Sequence, residues 1–368
     1  MHSVSEPTLL LNETICQANI ERMAHKAATR GLQFKPHMKT HQSAVIGQWL
    51  RSYGVTAVTV SSVSMASYFA RHDWEDITIA FPCNLRETER INALAEKISL
   101  TLLVNRMETA DTLQQQLSHQ VDVYIELDTG AGRTGLQPSQ TSYIIRLINC
   151  FKQADKLNWK GFYSHPGHSY TARSEAEIQS IHQTVLTQIN RLRSKLGTSH
   201  GPFEVCIGDT PCASKGTEFN GIDAISPGNF VFYDLMQVQI GSCAVSDIAT
   251  AVCCPVVDRY PNRNQLAIYG GAIHFSKEPL SEDDEVHFGL AATKQGHAWN
   301  PIDDHTHLTR LSQEHGIVQC SPRSFEQFSV GDTITILPVH SCLTAHLLGR
   351  FVSTGGTTIH QAQLKDRI

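Results

Sequence analysis

The chain has no CxxC pair, no GxGxxG turn, no excess of basic residues and no acidic tail. Nor does any stretch approach the roughly 20 apolar residues that span a bilayer. Each absence removes a class. Ten cysteines scattered over 368 residues without a CxxC pair argue against a disulfide framework and a structural zinc ribbon, leaving most of them as small buried hydrophobes. A formal charge of -5 with 41% apolar residues describes a globular protein and gives no electrostatic footprint for nucleic acid. The opening MHSVSEPTLLLNETI has neither the basic flank nor the long apolar region of a signal peptide, so the expected location is the cytoplasm and no membrane association is expected. Low-complexity segments and repeats are missing too, apart from one periodicity.

That periodicity is an alternation of short β-branched or apolar runs with longer helix-like stretches. The runs are LQFKPHM (32–38), VTAVTVSS (55–62), DITIAF (76–81), SLTLLVN (99–105), VDVYIELDT (121–129), KGFYSHPG (160–167), FEVCIGDT (203–210) and DAISPGNF (223–230). Between them, segments such as LRETERINALAEKI place apolar residues at helical spacing. Eight βα repeats over about 200 residues predict an α/β fold of the (β/α)8 barrel type rather than an open doubly wound sheet, which would carry a glycine-rich first turn. Beyond about residue 245 the pattern changes to strand-like runs separated by turns. The expectation is a barrel over 15–245 and an all-β domain over 246–368.

Barrels carry their sites at the C-terminal ends of their strands. Five of the eight runs end in unusual polar residues: HMKTH, ELDTGAGRTG, SHPGHSY, GDTPCAS and SPGNF. If residues 34–39 are extended, Lys35, His37 and Lys39 share a face, and Lys39 stands at the mouth of the barrel. A lysine among low-dielectric walls and other cations loses proton affinity, which suits an amine that attacks carbonyls. The loops after the last two runs have the small residues and helix start of a phosphate cradle: Thr210 offers a hydroxyl, Gly228 close backbone approach, and Asn229 a turn cap. A phosphate cradle facing a recessed lysine describes a pyridoxal phosphate site. Arg133 is a candidate partner of the pyridine ring, and Tyr163, His165, His168 and Tyr170 are candidates for ring contacts or acid–base work. Far downstream, LPVHSCLTAH puts His340 and Cys342 two apart; on a strand these would share a face and converge on one soft divalent ion such as Zn2+.

Taken together, KPHMKTH, DTGAGRTG, GHSY, GDTP, PGNFVFYD and PVHSCLT resemble the D-serine dehydratase and D-threonine aldolase family, fold-type III pyridoxal phosphate enzymes related to the alanine racemase barrel. The resemblance covers nearly the whole chain in order. It implies that Lys39 is the Schiff-base lysine, that Thr210, Gly228 and Asn229 belong to phosphate-binding loops, and that Tyr163 and Tyr170 lie in the cofactor-contacting segment. It also implies that His340 and Cys342 hold a metal, zinc in the dehydratases. Family members are generally dimers, and the first dozen residues are expected to join the β domain. Gln42 and His346 depart from residues common in the family, which leaves the substrate open.

The function expected is a pyridoxal phosphate- and metal-dependent lyase on a small-molecule β-hydroxy D-amino acid, in D-serine dehydratase fashion. D-threonine aldolase-like cleavage to glycine and an aldehyde is the nearest alternative. An amino-acid racemase, and a metal-dependent barrel hydrolase using His37, His41, His165, His168 and Asp209, are the others.

Overall fold

The computed structural model describes residues 4–282, 285–295 and 298–362. The chain divides into two units. One comprises Arg22–Gly228 with Ala362; the other joins the described part of Met1–Glu21 to Asn229–Gln361. Strand β1 (Thr8–Leu11) belongs to the second unit. The first holds β2 (Gln33–Phe34), β3 (Ala57–Val60), β4 (Asp76–Pro82), β5 (Ser99–Leu103), β6 (Val121–Leu127), β7 (Leu157–Ser164), β8 (Glu204–Ile207) and β9 (Ala224–Ile225).

Each of the eight expected runs supplies one strand, and neighbours pair in parallel in the order β2-β9-β8-β7-β6-β5-β4-β3. The two ends of that path meet: Thr59 N–H donates to Pro36 O at 3.0 Å and Met38 N–H to Thr59 O at 2.8 Å, so the sheet curls into a barrel. Helices such as Ala44–Ser52, Thr141–Gln153 and Glu175–Leu196 separate successive strands, each burying its apolar stripe. Inside the barrel Leu103, Tyr124, Tyr163, Cys206 and Ala224 pack together. Lys35 is fully buried there, its Nζ 2.6 Å from Glu204 and 3.0 Å from the Tyr124 hydroxyl.

The second unit is built on a ten-stranded sheet whose pairs are antiparallel except one. Its long strand β10 (Thr250–Tyr260) pairs with β1, Gln265–Tyr269 and Thr333–Pro338. β1 lies parallel to Arg350–Ser353 on its other side. The division at 228/229 falls earlier than residue 245, because the segment after Gly228 is hydrogen-bonded to this sheet unit: Ala249 N–H reaches Phe232 O at 2.7 Å and Met236 N–H reaches Val339 O at 3.2 Å. Two short helices, Ala272–Phe275 and Ser341–Leu348, interrupt what the sequence pattern gives as strand. Among the described residues no helix is long and apolar enough to cross a membrane.

Candidate active site and metal pair

The first strand stops being extended sooner than the alternation of its side chains suggests. His37 makes the last ladder contact, with Thr59, and residues 38–41 form a turn. Lys39 therefore stands in that turn rather than on the face of Lys35 and His37, while Lys35 lies deep in the barrel. The turn is held from both sides. His37 Nδ1 accepts Lys39 N–H at 3.3 Å, and Gln42 Nε2 donates to Lys39 O at 3.1 Å. His41 is fully buried and its Nδ1 accepts Ser43 N–H at 3.1 Å. Burial drives its proton affinity down to about 3, so it is neutral.

Around Lys39 the charges are arranged to keep histidines neutral. Burial lowers His37 well below its usual range, and the positive charges of Lys39 and Arg133 push the same way. His165 falls to about 4, through burial first and then Lys39 and Arg133, against the opposing pull of Asp209. Lys39, His37, His165 and Arg133 thus lie within one electrostatic neighbourhood, at the ends of β2, β6 and β7. Arg133 is delivered by a loop that folds back on its own strand: Asp128 Oδ1 accepts Gly130 and Gly132 N–H, both at 3.0 Å, and Leu136 N–H returns to Glu126 O at 2.8 Å. Gly135, at φ +103°, is needed for that return, since a Cβ would sit 2.9 Å from Asp128 N.

Beyond β8 the chain turns into the helix Thr210–Lys215. Asp209 caps it, its Oδ2 taking Cys212 N–H at 2.8 Å and the Ser169 hydroxyl at 2.7 Å. Thr210 is fully buried, and its hydroxyl oxygen has no hydrogen-bond partner among the described residues. Thr210 N–H reaches the Tyr170 hydroxyl at 3.4 Å. Gly228 packs so tightly that a Cβ would lie 3.1 Å from both Cβ and O of His37 and 3.2 Å from Thr40 Oγ1. Tyr163 lies in the barrel interior with its hydroxyl 2.9 Å from Ser226 Oγ.

A primary amine in a constrained turn, an unpaired buried hydroxyl at a helix start and a glycine with no room for a side chain fit a phosphorylated aldehyde. Lys39, Arg133, Tyr163, Tyr170, Thr210 and Gly228 all belong to the barrel unit, where Tyr170 meets Thr210 N–H and Lys39 and Arg133 share the surroundings of His37 and His165. Asn229 makes its side-chain contacts in the sheet unit. Its side-chain amide donates to Asp234 Oδ2 at 2.7 Å, Ser341 Oγ at 3.1 Å and Cys342 Sγ at 3.5 Å, all within the sheet unit.

His340 and Cys342 do converge, but not as alternate strand residues. The strand ends at Pro338, His340 is the N-cap of Ser341–Leu348, and Cys342 lies in its first turn. The buried carboxylate of Asp234 fixes this turn by accepting Ser341 N–H at 2.9 Å and the Ser341 hydroxyl at 3.1 Å. Burial disfavours charge on His340. Hydrogen bonds to Cys342 and Glu278 and the negative charge of Cys342 and Asp234 outweigh that effect and push the imidazole up to about 11. Among the described residues no three His, Cys, Asp or Glu side chains converge on one point, so the donor set is a pair. An imidazole and a sulfur with further positions open suit a catalytic rather than a structural ion.

Three of the residues that build these features were not singled out as site residues from sequence. Asp234 stood inside PGNFVFYD and Ser226 inside SPGNF without a role; Glu278 carried no signal, in an ordinary-looking polar stretch.

A barrel with this lysine turn and anion cradle defines the class of pyridoxal phosphate enzymes built on a (β/α)8 unit. Residues 13–235 match the family described as alanine racemase, N-terminal domain, and 249–354 match the putative serine dehydratase domain. The chain belongs to the fold-type III family of pyridoxal phosphate enzymes that includes the D-serine dehydratases. It is 27% identical to the D-serine dehydratase of Dictyostelium discoideum over 95% of this chain and 93% of that protein. It is 25% identical to a 3-hydroxy-D-aspartate aldolase of Paracoccus denitrificans over 92% of this chain and 85% of that one. The solved D-threo-3-hydroxyaspartate dehydratase from Delftia sp. HT23 superposes with a TM-score of 0.89 at 23% identity, covering 98% of each chain. A cysteine-to-alanine mutant of that dehydratase is solved in the metal-free form.

Proposed function

We propose that the protein is a pyridoxal phosphate- and divalent metal-dependent lyase on β-hydroxy D-amino acids that removes water and the amino group to leave a 2-oxo acid and ammonia, as a D-serine dehydratase does. The observation that carries the reading is the pairing of His340 with Cys342. A lysine-bearing barrel of this type serves many reactions at Cα; a donor pair in the second unit supports one that engages a β-hydroxyl, and its thiolate leans toward the dehydratase over the aldolase. The names of the relatives support the same substrate class.

Pyridoxal phosphate, when bound, supplies an electron sink for charge released at Cα. Lys39 would be the amine that anchors it and, as a free amine, would be placed to take the Cα proton. Thr210 and Gly228 hold the phosphate, and the neutral His37 keeps the Lys39 turn in place through Nδ1. The guanidinium of Arg133, if beside the pyridine nitrogen, would disfavour a proton there and so limit electron withdrawal. Help at the leaving group is then required. A divalent ion on His340 and Cys342 supplies Lewis acidity that makes a β-hydroxyl a better leaving group, and this donor pair favours Zn2+. The ten cysteines form no disulfide, which suits a reducing cytoplasm, and the family resemblance supports a homodimer.

Product analysis tests the reading. D-Serine should give a 2-oxo acid and ammonia, with the activity lost on chelation and restored by zinc. Glycine and an aldehyde from D-threonine, with no 2-oxo acid from D-serine, would instead establish the aldolase reading that the Paracoccus relative favours. Borohydride should fix a pyridoxyl group on Lys39. A colourless protein that cannot be reconstituted with the cofactor would refute both.

A further inference from the structure

His340 makes a side-chain contact that no part of the proposed mechanism uses. Its Nδ1 is hydrogen-bonded to Glu278 Oε2. Imidazole has two nitrogens on opposite edges of the ring, and one engaged by a carboxylate cannot bind a metal. The bond therefore leaves Nε2 as the nitrogen available to an ion and removes the ring's freedom to rotate between the two.

The segment that carries Glu278 is itself fastened to the helix that carries the pair. Thr344, fully buried on that helix, donates its hydroxyl to Phe275 O at 3.3 Å. The chain then reverses at Ser276, a non-glycine residue at φ +68°, and Ser276 Oγ accepts Glu278 N–H at 3.3 Å. The carboxylate is half-exposed, so it needs a reason to be held at one place; the ring of His340 is the partner it finds there. It is not a third ligand, because no three such side chains converge among the described residues.

We infer that Glu278 is the positioning residue of the metal pair: it holds the His340 ring by Nδ1 so that Nε2 and Cys342 Sγ present a fixed two-donor edge to a divalent cation. The inference rests on the reading that His340 and Cys342 bind metal. Carboxylate partners of metal-bound histidines of this kind are generally worth 10–100-fold in metal affinity.

The test uses the full-length, cofactor-loaded protein and Zn2+ or Co2+ alone, without turnover. Zinc affinity is measured by competition with a chromophoric chelator, and the Co2+ form is read by its thiolate-to-metal absorption and ligand-field bands. Glu278→Ala should weaken zinc by about 10–100-fold and change the ligand-field bands, while the thiolate band from Cys342 persists. Glu278→Gln, which keeps an acceptor oxygen without the charge, should fall between Ala and wild type. Bound-cofactor absorbance and the unfolding midpoint should stay at wild-type values in both. Zinc affinity within twofold of wild type in Glu278→Ala would overturn the inference while leaving the metal pair intact. A wild-type protein that takes up no zinc or cobalt, with His340→Ala making no difference, would overturn the metal reading and this inference together.

Discussion

Replacing His41 by asparagine tests the central electrostatic feature of the KPHMKTH segment, and its effect can be worked out in advance. His41 is fully buried, accepts Ser43 N–H through Nδ1 and is driven by burial down to about 3. Asparagine keeps an acceptor for Ser43 but cannot titrate. In the unfolded chain the histidine takes a proton near its ordinary 6.5, whereas the folded protein keeps it neutral. The unfolded state therefore binds more protons, and stability that is full above about 6.5 is lost as pH falls toward about 3. At about 1.4 kcal/mol per unit, moving from pH 7 to pH 5 removes about 2 kcal/mol through this one residue. His37 and His165 add to the acid sensitivity of both proteins and cancel in the comparison. Urea unfolding at the two pH values should show wild type losing about 2 kcal/mol more than His41→Asn, whatever constant penalty the smaller side chain brings. The His41 ring signal in NMR should not titrate above about pH 4. Equal losses in the two proteins, or a ring that titrates near pH 6, would refute the reasoning and return His41 to the list of candidate metal ligands.

Three further outcomes follow from buried contacts. Lys35→Met removes the ammonium partner of Glu204 and keeps its bond from the Tyr124 hydroxyl at 2.6 Å; loss of one partner from a buried pair should cost about 3 kcal/mol, with Glu204→Gln recovering part of it, and urea midpoints of the single and double variants measure this. Gly228→Ala forces a methyl against His37 and Thr40, so it should destabilise by about 1–3 kcal/mol and loosen cofactor retention on dialysis, because the displaced residue holds the Lys39 turn. Tyr163→Phe removes the bond to Ser226 and should lower stability by about 1 kcal/mol without bleaching the bound cofactor.

What could be read from the sequence was what has a period. The eight barrel runs are short strings of β-branched or apolar residues bounded by turn-formers, and burial on both faces demands such strings wherever a parallel sheet is covered by helices. The polar ends of five runs marked the mouth for the same reason. Side-chain direction beyond the last ladder bond was not legible. The alternation through FKPHMK carries Lys35 and His37 correctly into the ladder-bonded extension of β2, but it fails at Lys39, because the turn over 38–41 is set by Gln42 and by His37 Nδ1, contacts with no sequence signature. The HSC pair shows the same limit. Spacing of two suggested a shared strand face; the residues come together at a helix start because Asp234, more than 100 positions earlier, holds Ser341.

Asn229 shows how one residue can separate the two kinds of evidence. Its place in SPGNF and the family resemblance assign it to the phosphate loops, where it would serve the cofactor. The structure gives its amide three acceptors in the sheet unit, one of them Cys342 Sγ. The amide orientation is fixed by charge, since turning the oxygen toward the Asp234 carboxylate would set two acceptors against each other. Asn229→Ala should therefore leave Asp234 tied to Ser341 but strip a donor from Cys342, weakening zinc retention while pyridoxal phosphate stays bound. Serine, too short to reach all three acceptors, should behave like alanine. Dialysis against a chelator and against cofactor-free buffer measures the two losses separately. If the cofactor leaves first and zinc is unaffected, the phosphate assignment holds and the amide's contacts to Asp234 and Cys342 are of packing value only.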